Sequence, residues 1–535
     1  MNEALLDKKR LDGLSLIILL SASIVFRFRV GNIGMGYLLT CFMLYEAMWV
    51  FFGENYSEVL GRILRSRYQK SKYKSARIIK RYASSMTYFQ AALGGIFIAG
   101  LGSYLIRNVF KVNHSFYLIW FFGIIFAVRL ISENIGGFLC SKKSSIRLYA
   151  AISVVRQILI AVFGNIFISV LSGYGSKIAA LYKQDDFAAL YSCFGICIAA
   201  ILSELIVLIL VLVMKLLSGK RESDFEDDYF QKKDNTGNVF LMIWQRRIFD
   251  VLNTLFMIFP FVFGVFCLYQ KSADRYQAAS DIGLFGGTVL FPGVIFCTLG
   301  YMFTLPIMGE ISLNLRQGKM RYAQNHFQTA IHLCFIYGSF GCIYLISESQ
   351  IIASMFEESV SSLVSKLMVY GAFLTLTMLA SLFMLRLLVA NGLTLLTYFV
   401  QIPSDVIFVV VLSIALKKNP QMATAFALAL LISFICKFIG YLIVSIVKLE
   451  MNLDPIGNLF VPMAVSAVVC VLNVFLAKVI SPHLGNIFTL FVSFIEEAFV
   501  YLVILLLSRN IKENEIEYLP GKRLITIIAQ TLHVL

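Results

Sequence analysis

Long apolar stretches alternate with short polar segments along the whole chain. The hydrocarbon core of a bilayer is about 30 Å thick, and an α-helix needs about 20 mostly apolar residues to cross it. We therefore predict an all-α membrane protein with about fourteen transmembrane helices. The predicted spans are 12–28, 34–53, 84–106, 115–139, 148–172, 187–216, 238–268, 281–308, 327–347, 362–385, 393–416, 421–447, 457–480 and 485–508.

The composition supports a membrane protein and excludes a soluble one. Of the 535 residues, 59% are hydrophobic and 14% are charged, whereas soluble domains carry about 25% charged residues. A water-soluble core could not hide this much apolar surface. The ten cysteines form no CxxC pair, so we expect neither a metal site nor a disulfide framework.

The net charge of +15 is distributed unevenly between alternate loops. With the N-terminus inside, the inner segments carry roughly three times as many Lys and Arg residues as the outer ones, as the positive-inside rule expects. The basic segment 54–81 is the largest contributor. We predict a multi-pass protein of the bacterial plasma (inner) membrane with both termini in the cytoplasm. The charge is then a topology signal, and no nucleic acid partner is expected.

Two small-residue junctions six spans apart indicate an internal repeat. Gly136 and Gly137 lie at the end of the fourth span, and Asn391 and Gly392 follow the tenth. Repeated lobes with a binding site between them are typical of alternating-access transporters. The predicted units are an N-lobe at 1–216, a cytoplasmic linker at 217–237, a C-lobe at 238–447, and a remainder at 448–535 with spans 13 and 14 and an amphipathic C-terminal tail.

Ionisable residues interrupt several apolar stretches of the first half. Each costs about 2.5–3.5 kcal/mol to insert into a bilayer, so such residues usually face a cavity or a partner. Arg129 and Glu133 are four residues apart and share a helix face, which permits either an internal ion pair or a polar cavity wall. The predicted substrate-binding residues are Arg27, Arg29, Glu46, Arg129, Glu133, Arg156, Glu204, Arg246, Arg247 and Asp250.

The cluster on span 7 places two arginines beside one acid. Arg246 and Arg247 lie four and three residues before Asp250, and we expect all three on one face. One arginine would then lack a carboxylate partner. A planar guanidinium binds phosphate oxygens in a bidentate manner, which favours a diphosphate ligand.

In the second half, Asp405 and Lys437 lie near the middle of spans 11 and 12. They predict either an interhelical ion pair or a site for a coupling ion. Glu496 and its neighbour Glu497 lie on span 14, where one carboxylate could carry a proton. We expect no cofactor, with coupling to a proton gradient, a sodium gradient or the membrane potential. No catalytic constellation or Walker loop is present, so we do not expect an enzyme.

Two segments resemble a known superfamily. The segment "RVGNIGMGYLLTCFMLYEAMWVFFGENYSEVLGRILRSRYQ" at 29–69 has an arginine, a glycine-rich turn, a second span and a basic loop in that order. The segments "LPIMGEISLNLRQGK" at 305–319 and "ASMFEE" at 353–358 flank an apolar span. This pattern is similar to that of the multidrug/oligosaccharidyl-lipid/polysaccharide exporter superfamily. The most similar branch is that of stage V sporulation protein B and the polysaccharide biosynthesis exporters, which is related to the lipid II flippases.

The resemblance implies a V-shaped bundle of two pseudo-symmetric six-helix lobes, plus two C-terminal helices. It also implies a flippase or exporter that moves a lipid-linked oligosaccharide or polysaccharide precursor by alternating access. Expected partners are membrane lipids, an undecaprenyl-linked sugar or similar amphiphile, and polysaccharide synthesis enzymes.

Two alternatives stay open at this stage. A cation-coupled multidrug antiporter would need a compact acidic site around Glu204 or Asp405, whereas a flippase for an anionic lipid predicts a cavity with net positive charge. A membrane-embedded polysaccharide biosynthesis enzyme would need paired carboxylates in a large loop. The acidic run "DFEDDYF" at 224–230 is the one candidate for such a loop, and a solvated linker explains it better.

Overall fold

The computed structural model describes residues 3–112, 115–184, 186–219, 239–272, 274–356, 358–418, 421–519 and 521–531. The acidic run at 224–230 and most of the predicted linker lie outside these ranges. The described residues form helices and short connections, without a β-strand. The helices are α1 (Glu3–Phe52), α2 (Tyr56–Gln69), α3 (Tyr73–Tyr104), α4 (Phe116–Cys140), α5 (Lys143–Tyr182), α6 (Asp186–Gly219), α7 (Val239–Lys271), α8 (Arg275–Phe285), α9 (Phe291–Arg316), α10 (Met320–Ser347), α11 (Ser349–Ser354), α12 (Glu358–Ala390), α13 (Thr394–Lys418), α14 (Met422–Leu449), α15 (Val461–Leu484), α16 (Asn486–Leu507), α17 (Glu513–Ile516) and α18 (Lys522–Thr531).

The predicted all-α membrane fold is confirmed. Thirteen helical stretches in the described part of the chain are long and apolar enough to cross a membrane, and the first of them, Leu6–Gln69, contains 64 residues. That length is more than twice what one crossing needs. The first stretch therefore contains predicted spans 1 and 2, and each of the other twelve overlaps one further predicted span.

The chain reverses direction at Gly31, inside α1. Gly31 has φ 78° and ψ 174°, a conformation that is essentially restricted to glycine. The start of the first arm lies beside α2, which follows the second arm, because Lys8 and Glu58 are electrostatic neighbours. Arg27 spans the break and donates a hydrogen bond to the Oδ1 atom of Asn32 at 2.6 Å. The two arms therefore form an antiparallel helical hairpin.

The described chain divides into two compact units, at residues 2–283 and 284–535. The division falls within α8, later than the predicted boundary at 217–237, because α7 packs with the first unit. Tyr269 near the end of α7 lies 3.1 Å from the hydroxyl of Thr40, and Arg247 near its start bonds to the end of α1. The predicted six-helix repeat remains a prediction.

Helix α2 belongs to the protein core of the first unit. Its apolar side is buried against α3 and α4, in a cluster that includes Leu60, Ile63, Ile79 and Phe138. Arg65 donates to the carbonyl oxygen of Cys140 at 2.6 Å and so satisfies the end of α4. The helix predicted within 54–81 is thus held by protein contacts, and its basic side faces outward.

The C-terminal tail contacts the second unit through a buried histidine. His332 on α10 bonds through Nδ1 to the carboxylate of Glu515 on α17 at 3.0 Å, and both side chains are buried. The following helix α18 buries Ile525 and exposes Leu524 and Ile527. The predicted amphipathic tail is therefore helical, and α17 fixes its start against α10.

The conformation of Gly31 leads to a direct test. We expect Gly31→Ala to destabilise the protein by about 1–3 kcal/mol, because an alanine is strained at this φ and ψ. No atom lies within 4 Å of the added methyl group, so the cost is one of backbone conformation alone. The matched control is Gly100→Ala on α3, where space is also open and alanine is the better helix former. Thermal unfolding in nanodiscs would contradict the expectation if both variants were equally stable.

Candidate functional site

Arg129 is fixed in the first unit by aromatic residues of α1. Its Nη1 atom donates to the hydroxyl of Tyr45 at 3.1 Å, and its guanidinium lies 4.4 Å from the centre of the Trp49 ring. Tyr45 and Trp49 are four residues apart, so the same helix face presents both. A cation over an indole ring is stabilised by the ring quadrupole. Glu46 is a further electrostatic neighbour of Arg129.

Glu133 lies one helical turn after Arg129 on α4. Its carboxylate has Ser57 and Tyr149 as polar neighbours, and its charged neighbours include Arg156 and Arg129. Arg129 and Glu133 share a face of α4, as predicted, and each is an electrostatic neighbour of the other. Glu133 also lies beside Ser57 on α2 and Arg156 on α5, so the two residues are not an isolated intra-helix pair.

Arg156 and Glu204 form a buried ion pair between α5 and α6. The Nε and Oε1 atoms are 3.2 Å apart, and the side chains are 4% and 3% exposed. Burial of both partners removes their hydration, so each depends on the other for compensation. Five predicted residues therefore meet in the first unit, and we call them the charged cluster. They are Glu46, Arg129, Glu133, Arg156 and Glu204.

Two residues of the charged region were not predicted from the sequence. Lys8 is 8% exposed and interacts electrostatically with Asp12, Glu58 and Glu133. Lys8 precedes the first predicted span, where a basic residue indicates only the orientation of that span. The reversal at Gly31 brings Lys8 beside α2 and α4. The charged cluster has two cations and three carboxylates, and adding Lys8 and Asp12 leaves the acids one ahead. The positive cavity expected for an anionic cargo is not found in this cluster.

The other predicted residues of the first unit lie elsewhere. Arg29 is exposed and donates to the hydroxyl of Ser169 at 2.7 Å. Arg27 is buried and holds the turn at Gly31 through Asn32. These arginines bind other parts of the protein, which leaves Arg27 in particular with a structural role.

The prediction that the three charged residues of α7 share one face is wrong. Arg246 is exposed, whereas Arg247 is 3% exposed. Adjacent helix residues point about 100° apart, because a turn contains 3.6 residues. Arg247 donates to the carbonyl oxygens of Glu54 at 2.8 Å and Phe51 at 3.3 Å. Arg247 therefore bonds to carbonyl groups at the end of α1, and it is not the unpaired arginine that was predicted to bind a diphosphate.

In the second unit, Asp405 and Lys437 form the predicted interhelical pair. The Lys437 Nζ atom lies 2.7 Å from Asp405 Oδ1, and the side chains are 0% and 7% exposed. Their role as a coupling site remains a prediction. Glu496 is partly buried beside Glu348 and Glu497 and lies outside this pair. Within the described ranges, no group of three or more His, Cys, Asp or Glu residues could hold a metal ion.

The fold and its internal charges define a multi-pass α-helical membrane protein with polar groups buried in each unit. No protein-family model matches the sequence, and no curated protein matches it. Solved structures are similar to it. An inward-facing multidrug resistance MATE transporter of the MOP superfamily shares 15% identity, with a TM-score of 0.55, over 83% of this chain and 96% of that one.

Two further structures have the same fold. A mutant of the Vibrio cholerae MATE transporter VcmN shares 12% identity, with a TM-score of 0.54, over 84% of this chain and 99% of that one. A MOP superfamily transporter from Pyrococcus furiosus, described as having a binding pocket of reverse polarity, shares 13% identity, with a TM-score of 0.55, over 84% and 99%. The chain therefore has the fold of the MATE transporters, which is the fold that the predicted resemblance implies. The sporulation-protein branch remains a prediction.

The two neighbouring arginines of α7 should respond differently to truncation. We expect Arg247→Ala to destabilise the first unit by about 1.5–3 kcal/mol, because the carbonyl oxygens of Phe51 and Glu54 lose a charged donor. Arg246→Ala is the matched control and should change stability by less than about 0.5 kcal/mol, as exposed positions usually do. Denaturant unfolding in mixed micelles measures both. Equal effects would contradict the assignment of Arg247 to the end of α1.

Proposed function

We propose that this chain is an alternating-access exporter that moves a lipid-linked oligosaccharide or polysaccharide precursor across the bacterial plasma membrane. The proposal is supported by the fold, which this chain shares with solved MATE transporters. It is also supported by the sequence resemblance to polysaccharide exporters at 29–69 and 305–319. Both termini are proposed to lie in the cytoplasm, where the basic segment 54–81 then lies too.

A basic surface on α2 and α3 carries the proposal of an anionic cargo. Because the apolar side of α2 is buried in protein, its basic side faces outward at one end of the first unit. We call this surface the basic ledge, and its exposed members are Arg62, Lys70, Lys74, Arg77 and Arg81. Several guanidinium and ammonium groups close together attract phosphate oxygens. A diphosphate-linked lipid has such a headgroup beside its apolar tail.

The charged cluster suits the sugar part of such a cargo. Glu46, Arg129 and Glu133 are less buried than Arg156 and Glu204. Sugar hydroxyls both donate and accept hydrogen bonds, and a mixed set of carboxylates and guanidinium groups supplies both partners. In this proposal, the basic ledge attracts the phosphates and the charged cluster contacts the hydroxyls.

A second candidate is a cation-coupled antiporter for small molecules. The observation in its favour is the excess of carboxylates over cations in the charged cluster, where Glu204 is buried. A cationic substrate or a coupling cation would compensate that excess. The buried pair of Asp405 and Lys437 is a further candidate element for coupling in the second unit.

The basic ledge gives the test of the proposed function. Proteoliposomes with the purified chain would be loaded with a labelled undecaprenyl-diphosphate sugar, and its access to each leaflet would be followed. We expect Arg62→Gln/Lys70→Gln/Arg77→Gln to slow translocation several-fold at low salt and less at high salt, because ions screen exposed charges. The control, Lys177→Gln/Lys183→Gln, removes two other exposed basic groups of the same unit and should translocate as the wild type does.

The same vesicles decide between the two candidates. Translocation that is equal in the ledge variant and the wild type would remove the ledge from the mechanism. Efflux of a cationic dye driven by a proton or sodium gradient, without lipid translocation, would contradict the proposed cargo and favour the antiporter.

A further inference from the structure

A second polar cluster lies in the second unit, where α15 and α16 pack beside the end of α10. It consists of Ser347, Glu348, Asn473 and Glu497, and we call it the carboxylate cluster. Glu348 and Glu497 are both 0% exposed, and Asn473 is 1% exposed. None of the four belongs to the charged cluster or to the pair of Asp405 and Lys437.

One amide nitrogen joins the members of the carboxylate cluster. The Nδ2 atom of Asn473 lies 2.9 Å from Ser347 Oγ and 3.3 Å from Glu348 Oε1, and it also bonds to Glu497 Oε2. Ser347 donates its hydroxyl to the same Glu497 oxygen at 3.2 Å. The Asn473 side chain therefore points between two carboxylates, which it brings together.

Three buried oxygens of this cluster have no hydrogen bond. They are Glu348 Oε2, Asn473 Oδ1 and Glu497 Oε1. A buried oxygen without a partner is costly, because it has lost its hydration and gained nothing in return. In each carboxylate, the other oxygen contacts the amide nitrogen of Asn473. The unsatisfied oxygens therefore belong to three side chains that contact one another at the Asn473 nitrogen.

No cationic side chain among the residues that the structure describes is a neighbour of either carboxylate. Among the described residues, the charged neighbours of Glu497 are the acids Glu348 and Glu496. The side chains beside Glu348 that favour its charged form are those of Ser493 and Asn473, and both are neutral. Burial raises the pKa of Glu348. The pair of Asp405 and Lys437 in the same unit shows the contrast, because there a buried acid has its base 2.7 Å away.

A bound cation would remove both defects. Two buried carboxylates need positive charge nearby. A single proton would satisfy one oxygen and leave the other carboxylate charged, whereas a metal cation can bind several oxygens together. Carboxylate, amide and hydroxyl oxygens are the ligands that hard cations prefer. Turning over the Asn473 amide, whose nitrogen and oxygen ends have the same shape, would place its oxygen where the nitrogen now meets Ser347, Glu348 and Glu497.

We propose that Ser347, Glu348, Asn473 and Glu497 form a binding site for a hard cation with oxygen ligands, such as Na⁺ or Ca²⁺. The site is built from α10, α15 and α16 and does not use the residues proposed to contact cargo. It is independent of the proposed function, because cation binding is measured with no cargo present.

The test measures cation-dependent stability of the full chain in nanodiscs at fixed pH. Thermal unfolding would be followed while NaCl replaces choline chloride at constant ionic strength, and in a separate series while CaCl2 is added. A ligand that binds the folded state raises the unfolding midpoint in a saturable manner. We expect at least one of the two cations to raise the wild-type midpoint by several degrees.

The variant Glu348→Gln/Glu497→Gln gives a result of opposite sign. Glutamine has nearly the shape of glutamate without its charge, so without added cation this variant should unfold at a higher temperature than the wild type. Its midpoint should then be unaffected by either cation. Glu310→Gln is the matched control, because it removes a partly exposed carboxylate of the same unit outside the cluster, and it should respond as the wild type does.

Direct binding keeps the proposal testable if the double variant does not fold. Equilibrium dialysis of the wild type with ²²Na⁺ or ⁴⁵Ca²⁺ should show saturable binding of about one ion per chain, and Glu497→Gln should weaken it at least tenfold. The proposal is overturned if neither ion binds, if the wild-type midpoint responds to pH alone, or if the double variant responds to the cations as the wild type does.

Discussion

The loss of hydration of ionised side chains is the constraint on which this structure depends. An isolated charge in a bilayer or a protein interior costs several kcal/mol, and the cost falls only when a partner or a set of hydrogen bonds replaces the water. Arg156 and Glu204 compensate this cost by forming a pair, and so do Asp405 and Lys437. Arg247 meets it differently, by donating to the carbonyl oxygens at the end of α1. In the carboxylate cluster, the residues that the structure describes do not compensate the two buried carboxylates.

The positions of the helices could be predicted because each depends on a local property of the sequence. A stretch long enough to cross a bilayer and apolar enough to face lipid has few alternatives to a helix, since its backbone groups must bond within the segment. All fourteen predicted spans correspond to described helices or to arms of α1. The glycine-rich sequence after Arg29 predicted a turn there. The reversal falls at Gly31, because its backbone conformation requires a residue without a side chain.

The partners of the charged residues were harder to predict, because they depend on contacts between distant segments. Arg129 and Glu133 are four residues apart, so their common face follows from helix geometry alone. Asp405 and Lys437 could be paired because they lie at similar depths of consecutive spans. The role of Arg247 could not be predicted, since the carbonyl groups that it satisfies are almost 200 residues away in sequence. Asn473 gave no signal, because an asparagine in an apolar stretch does not reveal which carboxylates it joins.

The two ends of the proposed mechanism use different electrostatics. On the basic ledge, exposed cations are screened by salt and act by attraction over a distance. In the charged cluster, nearly balanced charges offer hydrogen bonds without a strong net field. Helix α2 connects these regions, because Ser57 near its start lies beside Glu133 and Arg62 lies on its outward side. A cargo with a charged phosphate and a neutral sugar fits this order of surfaces.

A double-mutant cycle on Arg156 and Glu204 tests most directly the claim that buried charges in this chain compensate one another. The free energy of unfolding would be measured for Arg156→Gln, Glu204→Gln and the double variant in the same nanodiscs. Each single variant should lose about 3–5 kcal/mol, because the remaining partner is a buried uncompensated charge. The double variant should lose far less than the two losses combined. Losses that add within about 0.5 kcal/mol would show that the residues act independently and would contradict this account.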